Sequence, residues 1–196
     1  LTHEVWVYGK KAKVDPTAVF IGETGVKNIS LVFSEDFSKG IPESWKIFDG
    51  GTGEGEYSTW RVQSDSSRAI DLIPPFLIVD SDYQENGKMD ETVVTGAVDL
   101  TEFKTAQLSY NHFFKSYDDE VGDVEIQSTK TSGKWVKVKS YQNTTKGGVE
   151  YLDITEHAAG ASDVKVRFHY YNAEYDWYWA LDDIAIIGGK GYRCSD

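Results

Sequence analysis

Ala106-Gln107-Leu108-Ser109-Tyr110-Asn111-His112-Phe113-Phe114 decides the fold class, because its large side chains fall on every second position. A strand with one face on a core and one face wetter has this period of two, whereas a helix repeats near 3.6. Val164, Val166, Phe168 and Tyr170 repeat the pattern against Lys165, Arg167 and His169. Between these two strands, Val124 and Ile126 lead into Thr131-Ser132-Gly133 and then Trp135 to Val138, the mark of a hairpin. Trp177-Tyr178-Trp179-Ala180-Leu181 runs on to Ile184, Ala185, Ile186 and Ile187 as a last strand, interrupted by Asp182 and Asp183.

Working outward, turn residues recur between short apolar runs and helical periodicity is almost missing; Ile154 to Ala159 is the one candidate helical turn. About ten short strands joined by turns predict an all-β chain, a two-sheet antiparallel β-sandwich of the jelly-roll type. Residues 30–190 are expected to form that domain, residues 1–29 a linker or accessory β-hairpin, and residues 191–196 a tail. Within 1–29, Val5 to Tyr8 and Ala18 to Ile21 are the β-prone pieces, with Lys10-Lys11-Ala12-Lys13 between them. Residues 50–58, Gly-Gly-Thr-Gly-Glu-Gly-Glu-Tyr-Ser, are too rich in glycine for a strand interior and read as a flexible loop.

The chain has 196 residues, of which 40% are hydrophobic and 14% aromatic, enough for a real core and too apolar for a disordered segment. Thirty-two acids against twenty bases give a net charge of −12, which repels polyphosphate and anionic membrane alike, so no nucleic-acid partner is expected. No run approaches the roughly 20 apolar residues of a membrane span, so no membrane insertion is expected either. Cys194 is the single cysteine, so no intrachain disulfide exists. The start at Leu1 suggests a mature product or a piece of a longer protein.

Several separated words also line up, in order, with a known pattern. Ser34-Glu35-Asp36-Phe37-Ser38-Lys39-Gly40-Ile41-Pro42-Glu43-Ser44-Trp45 resembles the opening of the cleaved-adhesin, or choice-of-anchor J, domains, relatives of the MAM domain. Thr59-Trp60-Arg61-Val62, Phe76 to Asp82, Val98-Asp99-Leu100 and Leu108 to Phe114 follow that family's order. Asp176-Trp177-Tyr178-Trp179-Ala180-Leu181-Asp182-Asp183-Ile184 resembles its most specific word. Ser38 stands where the family usually carries Glu, and Thr95-Gly96 where it carries Ser-Pro. The resemblance, over about residues 30–188, implies a MAM/concanavalin-like jelly roll. Such domains are commonly calcium-stabilised and are appended, without catalysis of their own, to secreted bacterial peptidases and adhesins.

Three constellations could carry chemistry. Calcium takes six to eight oxygens from carboxylates and carbonyls, which loops of a sandwich supply. Asp80 and Asp82 with Glu85 and Asn86 form one such group, with a solvated turn as the alternative reading. Asp182 and Asp183 form another: on a strand they point to opposite faces, so one faces inward or the pair lies on a bulge. With the resemblance, Glu35, Asp36, Asp182 and Asp183 are the metal candidates beside Asp80 and Asp82. The second constellation is aromatic. Asn172, Tyr175, Asp176, Trp177 and Tyr178 combine rings with hydroxyl-binding groups, as a carbohydrate or peptide site would. Trp177 and Trp179, if they share a face, belong to the core; Tyr175 and Tyr178 are then the exposed contacts. Tyr117 with Asp118, Asp119 and Glu120 reads as a solvated hairpin end.

The third, catalysis, has little support. His3, His112, His157 and His169 stand in no H-E-x-x-H or G-x-S-x-G motif. Two Asn-x-Ser/Thr sequons, at Asn28 and Asn143, matter only in a eukaryotic secretory path. The expectation is a secreted or cell-surface, non-catalytic, calcium-stabilised adhesion module. It would bind an extracellular polysaccharide or protein beside neighbouring domains of the same chain. A carbohydrate-binding module of a glycoside hydrolase and a structural spacer are the alternatives.

Overall fold

A computed structural model describes residues 3–7, 10–14, 27–68 and 72–192. In chain order the strands are β1 (His3–Val7), β2 (Lys10–Val14), β3 (Lys27–Glu35), β4 (Lys46–Asp49), β5 (Arg61–Gln63) and β6 (Phe76–Asp80). β7 (Met89–Val94), β8 (Thr105–Phe114), β9 (Val121–Gln127), β10 (Val136–Gln142), β11 (Lys146–Asp153), β12 (Lys165–Ala173) and β13 (Tyr178–Tyr192) follow. Two single-turn helices, α1 (Ser81–Gln84) and α2 (Thr155–Ala158), interrupt them. Residues 106–114 fall within β8, with Ala106, Leu108, Tyr110, His112 and Phe114 buried, as the alternation predicts. On the face read as wetter, Asn111 and Phe113 are half-buried but Gln107 and Ser109 are buried too, because that half of the strand is covered on both faces. β1 and β2 pair as a small antiparallel hairpin, His3 opposite Val14. Its second strand is the Lys10 stretch that reads as a separator in sequence, while Ala18 to Ile21 lies outside the described residues, as do residues 193–196.

Two antiparallel sheets form the sandwich. One runs β10-β9-β12-β7-β4; the other runs β11-β8-β13-β6-β5, with β3 also pairing β13. Even-numbered residues of β8 and β12 meet odd-numbered residues of β6 between the sheets, giving a core of Leu77, Val79, Tyr110, Phe114, Val124, Phe168 and Leu181 around Trp60 and Trp179. Trp179 lies 5.7 Å from Trp60, 5.8 Å from Phe168 and 5.9 Å from Phe114 between ring centroids. Such tilted and edge-on pairs add roughly 0.5–1.5 kcal/mol each beyond the area they bury. On the outer face of the second sheet a smaller apolar cluster gathers Leu72, Phe76, Ile78, Tyr178 and Ala180.

β13 is the spine. Its first part, Tyr178 to Leu181, pairs β6; its later part, from Ile184, pairs β3 on the same side, ending with Tyr192 opposite Lys27. At the joint the register against β8 jumps from Asp182 opposite Asn111 to Ala185 opposite Ser109, one extra residue, and Asp183 takes a φ of +48°. The two-Asp interruption is therefore a β-bulge.

Antiparallel pairing sorts the connections by end. Residues 50–60, 81–88, 115–120, 143–145 and 174–177 join strands at one end, called here the loop end. Residues 36–45, 95–104, 128–135 and 154–164 join them at the other. The glycine-rich segment is anchored rather than free: Gly50 N–H donates to the Asp90 carbonyl (3.1 Å) and Thr52 N–H to the Lys88 carbonyl (2.8 Å). Between them Gly51 N–H donates to Glu91 Oε1 (3.1 Å).

Candidate binding site

The loop end collects the exposed tyrosines. Tyr117 is 77% exposed, Tyr175 60% and Tyr83 39%, while most other aromatic rings of the sandwich are packed. Tyr175 sits in the β12–β13 connection with φ +59°, a left-handed turn residue, while Asn172 at +58° is the extra residue where β12 shifts register against β7. The β8–β9 connection lies against it. Lys115 N–H donates to the Tyr178 carbonyl (2.9 Å), and its ammonium stands 3.1 Å from the centroid of the Trp177 ring.

Carboxylates underpin both loops. Glu120 is fully buried and accepts from the backbone N–H of Tyr117 (2.6 Å) and of Asp118 (3.0 Å), which fixes the turn carrying Tyr117. Asp176, also buried, accepts from Glu174 N–H (2.8 Å). Its carboxyl is pushed up by burial and, beyond that, by the charges of Glu120, Asp118 and Asp119. Tyr117 with exposed Asp118 and Asp119 on one loop, and Tyr175 on the adjoining one, offer apolar ring faces and hydroxyl- or ammonium-binding oxygens at the same end of the sandwich.

The other predicted contacts are placed differently. Asn172 is exposed, near Tyr175. Tyr178 is 2% exposed: it begins β13 on the outer face, its ring packs 6.0 Å from Phe113, and its hydroxyl donates to the Arg68 carbonyl (2.8 Å). It is a packing residue, not a contact. Trp177 does not share the core with Trp179, because it precedes the strand and joins the outer cluster, where Lys115 covers its ring.

Asp80 and Asp82, read in sequence as metal candidates, meet Arg68 instead. Its Nε bonds Asp80 Oδ2 (2.8 Å), and its terminal nitrogen pairs with Asp82. The same guanidinium lies 3.8 Å over the Tyr83 ring. Asp80 also caps α1, accepting from Tyr83 N–H (3.0 Å). A fixed cation from the chain thus stands where a bound one was expected. Arg68 and Tyr117 carried no usable signal: Arg68 lies twelve residues before Asp80, and Tyr117 looked like an ordinary hairpin tip.

Glu35, Asp36, Asp182 and Asp183 converge electrostatically at the β13 joint. Asp182 is buried and receives one backbone N–H, from Asp183 (2.8 Å); Asp183 and Asp36 are exposed. Burial first, then the charges of Asp183, Asp36 and Glu35, push the Asp182 carboxyl up to about 7. Glu35 accepts from Phe37 N–H (2.7 Å) and Asp36 from Ser38 N–H (3.1 Å), so both carboxylates bend toward their own turn. The donor set is all hard oxygen, the kind calcium takes. Among the described residues, however, no three His, Cys, Asp or Glu side chains are grouped so as to hold a metal ion.

No protein-family model matches the sequence, and no curated protein matches it. Solved structures do. The K1 cleaved adhesin domain of Lys-gingipain from Porphyromonas gingivalis W83 superposes with a TM-score of 0.60 at 22% identity, over 79% of this chain and 96% of that one. The chain has a cleaved-adhesin-like fold. The K3 cleaved adhesin domain of the same protein gives 0.60 at 21% identity, covering 82% and 99%. TmCBM61, solved in complex with β-1,4-galactotriose, gives 0.50 at 12% identity, covering 77% and 92%. The cleaved-adhesin-like sandwich is therefore shared, at these identities as a fold alone. No helix among the described residues is long and apolar enough to cross a membrane.

Proposed function

We propose that this chain is a non-catalytic binding module of a secreted or cell-surface protein, gripping an extracellular polysaccharide or protein at its loop end. The observation that supports it is the pair of open rings, Tyr117 and Tyr175, on adjoining loops whose turns are tied down by buried Glu120 and Asp176. Rigid rings at low entropic cost, with Asp118, Asp119 and Asn172 beside them, suit stacking against sugar C–H faces or peptide side chains. A carbohydrate-binding reading uses the same rings, and retardation of the protein in gels containing soluble polysaccharides tests it. Loss of retardation in both Tyr117→Ala and Tyr175→Ala supports the site; retention in both overturns it. Retardation by no polysaccharide favours a protein partner, sought then by cross-linking to cell-surface proteins.

Calcium is the second element of the proposal. Buried Asp182, whose carboxyl is pushed up first by burial and then by the charges of Asp183, Asp36 and Glu35, supports a stabilising cation at the β13 joint. Attachment to a peptidase or other hydrolase is the setting we propose for the module.

A further inference from the structure

β10 and β11 are the outermost strands of their two sheets, and residues 143–145 link them directly, so they border the same open side of the sandwich. Inside that border lies His112. It is fully buried, and neither ring nitrogen has a hydrogen-bond partner. Buried polar groups are rarely left so, and an orphaned pair on one ring asks for a reason. The ring lies tilted 4.6 Å from Tyr141 and edge-on 5.5 Å from Tyr110, whose hydroxyls bond each other at 2.7 Å.

One acid faces it: Glu150 Oε1 is 3.8 Å from His112 Nε2, too far for a hydrogen bond. That carboxylate is engaged by Lys146 and by Lys139 at 3.3 Å. Directly opposite His112 on β11 stands Gly148, where an added Cβ would meet nothing within 4 Å, so the edge strand reaches the ring only through Glu150. The titratable and charged groups facing the imidazole are Tyr110 of its own strand, Lys139 and Tyr141 of β10, and Lys146 and Glu150 of β11.

We propose that His112 and Glu150 form an acid-operated latch on this side of the sandwich. Neutral, the imidazole is one more packed ring, and Glu150 ties β11 to β10 through Lys139 while Lys146, on its own strand, holds the same carboxylate. Protonated, the ring needs a carboxylate, and the one within reach must leave Lys139 and Lys146 to serve it, which loosens the two edge strands. Burial sets the threshold low, with the His112 midpoint pushed down to about 4.

Hydrogen exchange at pH 4.5, compared with pH 7 after correction for intrinsic rates, tests the latch. Amides of β10 and β11 should lose protection at least several-fold in the unsubstituted chain and not in His112→Phe, while β7 and β12 behave alike in both. Equal loss in the two proteins, or loss spread evenly over all strands, overturns the proposal. Should His112→Phe fail to fold, Glu150→Gln decides: the His112 ring, followed by carbon-edited NMR, should titrate lower than in the unsubstituted chain. An unmoved midpoint, or one near 6.5 in the unsubstituted chain, overturns it.

Discussion

Arg68 is a single side chain answering two carboxylates and three rings, those of Tyr83, Trp177 and Tyr178, with 13% of its side chain exposed. Removing one partner of so enclosed a set leaves buried charge behind, and Asp80 is already pushed up by desolvation. Arg68→Ala should therefore lower the unfolding free energy by about 3 kcal/mol in urea titrations. Tyrosines 175 and 178, three residues apart, should behave as opposites. Tyr178→Ala should cost about 3 kcal/mol of stability. Tyr175→Ala should leave stability within about 0.5 kcal/mol while weakening ligand binding by roughly tenfold, a hot-spot-sized loss. Denaturation curves and titrations of the same two variants check both halves.

Acidity also acts residue by residue, with opposing signs. The raised Asp182 binds its proton more readily folded than unfolded. Its contribution is fully present below pH 4 and is lost as pH rises through about 7. The depressed His112 does the reverse, contributing above pH 6.5 and losing that contribution as pH falls through about 4. The two partly cancel between pH 4 and 7, so single substitutions separate what the whole protein hides. In chelator, Asp182→Asn should raise stability at pH 8 by on the order of 3 kcal/mol and change little at pH 4, read from melting curves at both pH values.

At the scale of elements, the glycine-rich segment works as a clasp on β7. Gly51 has the Glu91 carboxylate so close that a Cβ would come within 2.7 Å of Oε1. Gly51→Val should thus break the Gly51–Glu91 bond and cost about 2–3 kcal/mol, with Glu56→Ala, at an exposed position of the same segment, as the control for a mere loop change. Strands were legible from alternation because burial on one face writes itself into consecutive residues, as β12 shows, although in β8 residues 106–110 are buried on both faces. The clasp was not, since the acid that anchors Gly51 lies forty residues away. The Asp182-Asp183 bulge could be read from its interruption of an apolar run, but not the change of partner from β6 to β3. Likewise Tyr175 stood out as a candidate contact, whereas the fate of Tyr178 depended on which face the first residue of β13 took.

For the molecule as a whole, calcium is the lever the proposed function supplies. Stabilisation by a ligand follows its concentration over its dissociation constant, so millimolar calcium against chelator should shift the melting temperature by several degrees. The shift should vanish in Asp182→Asn and persist in Arg68→Ala; a melting temperature indifferent to calcium removes the metal from the proposal.

Tyr192 pairs opposite Lys27, so the sandwich is entered and left by two neighbouring strands at the end away from Tyr117 and Tyr175. Whatever polypeptide precedes Lys27 and follows Tyr192 joins the domain there, side by side. Such a unit can be spliced into a host surface like a bud on a stem. β13, which starts at the tyrosine end and finishes at Tyr192 paired to β3, runs the length between that end and the two chain crossings.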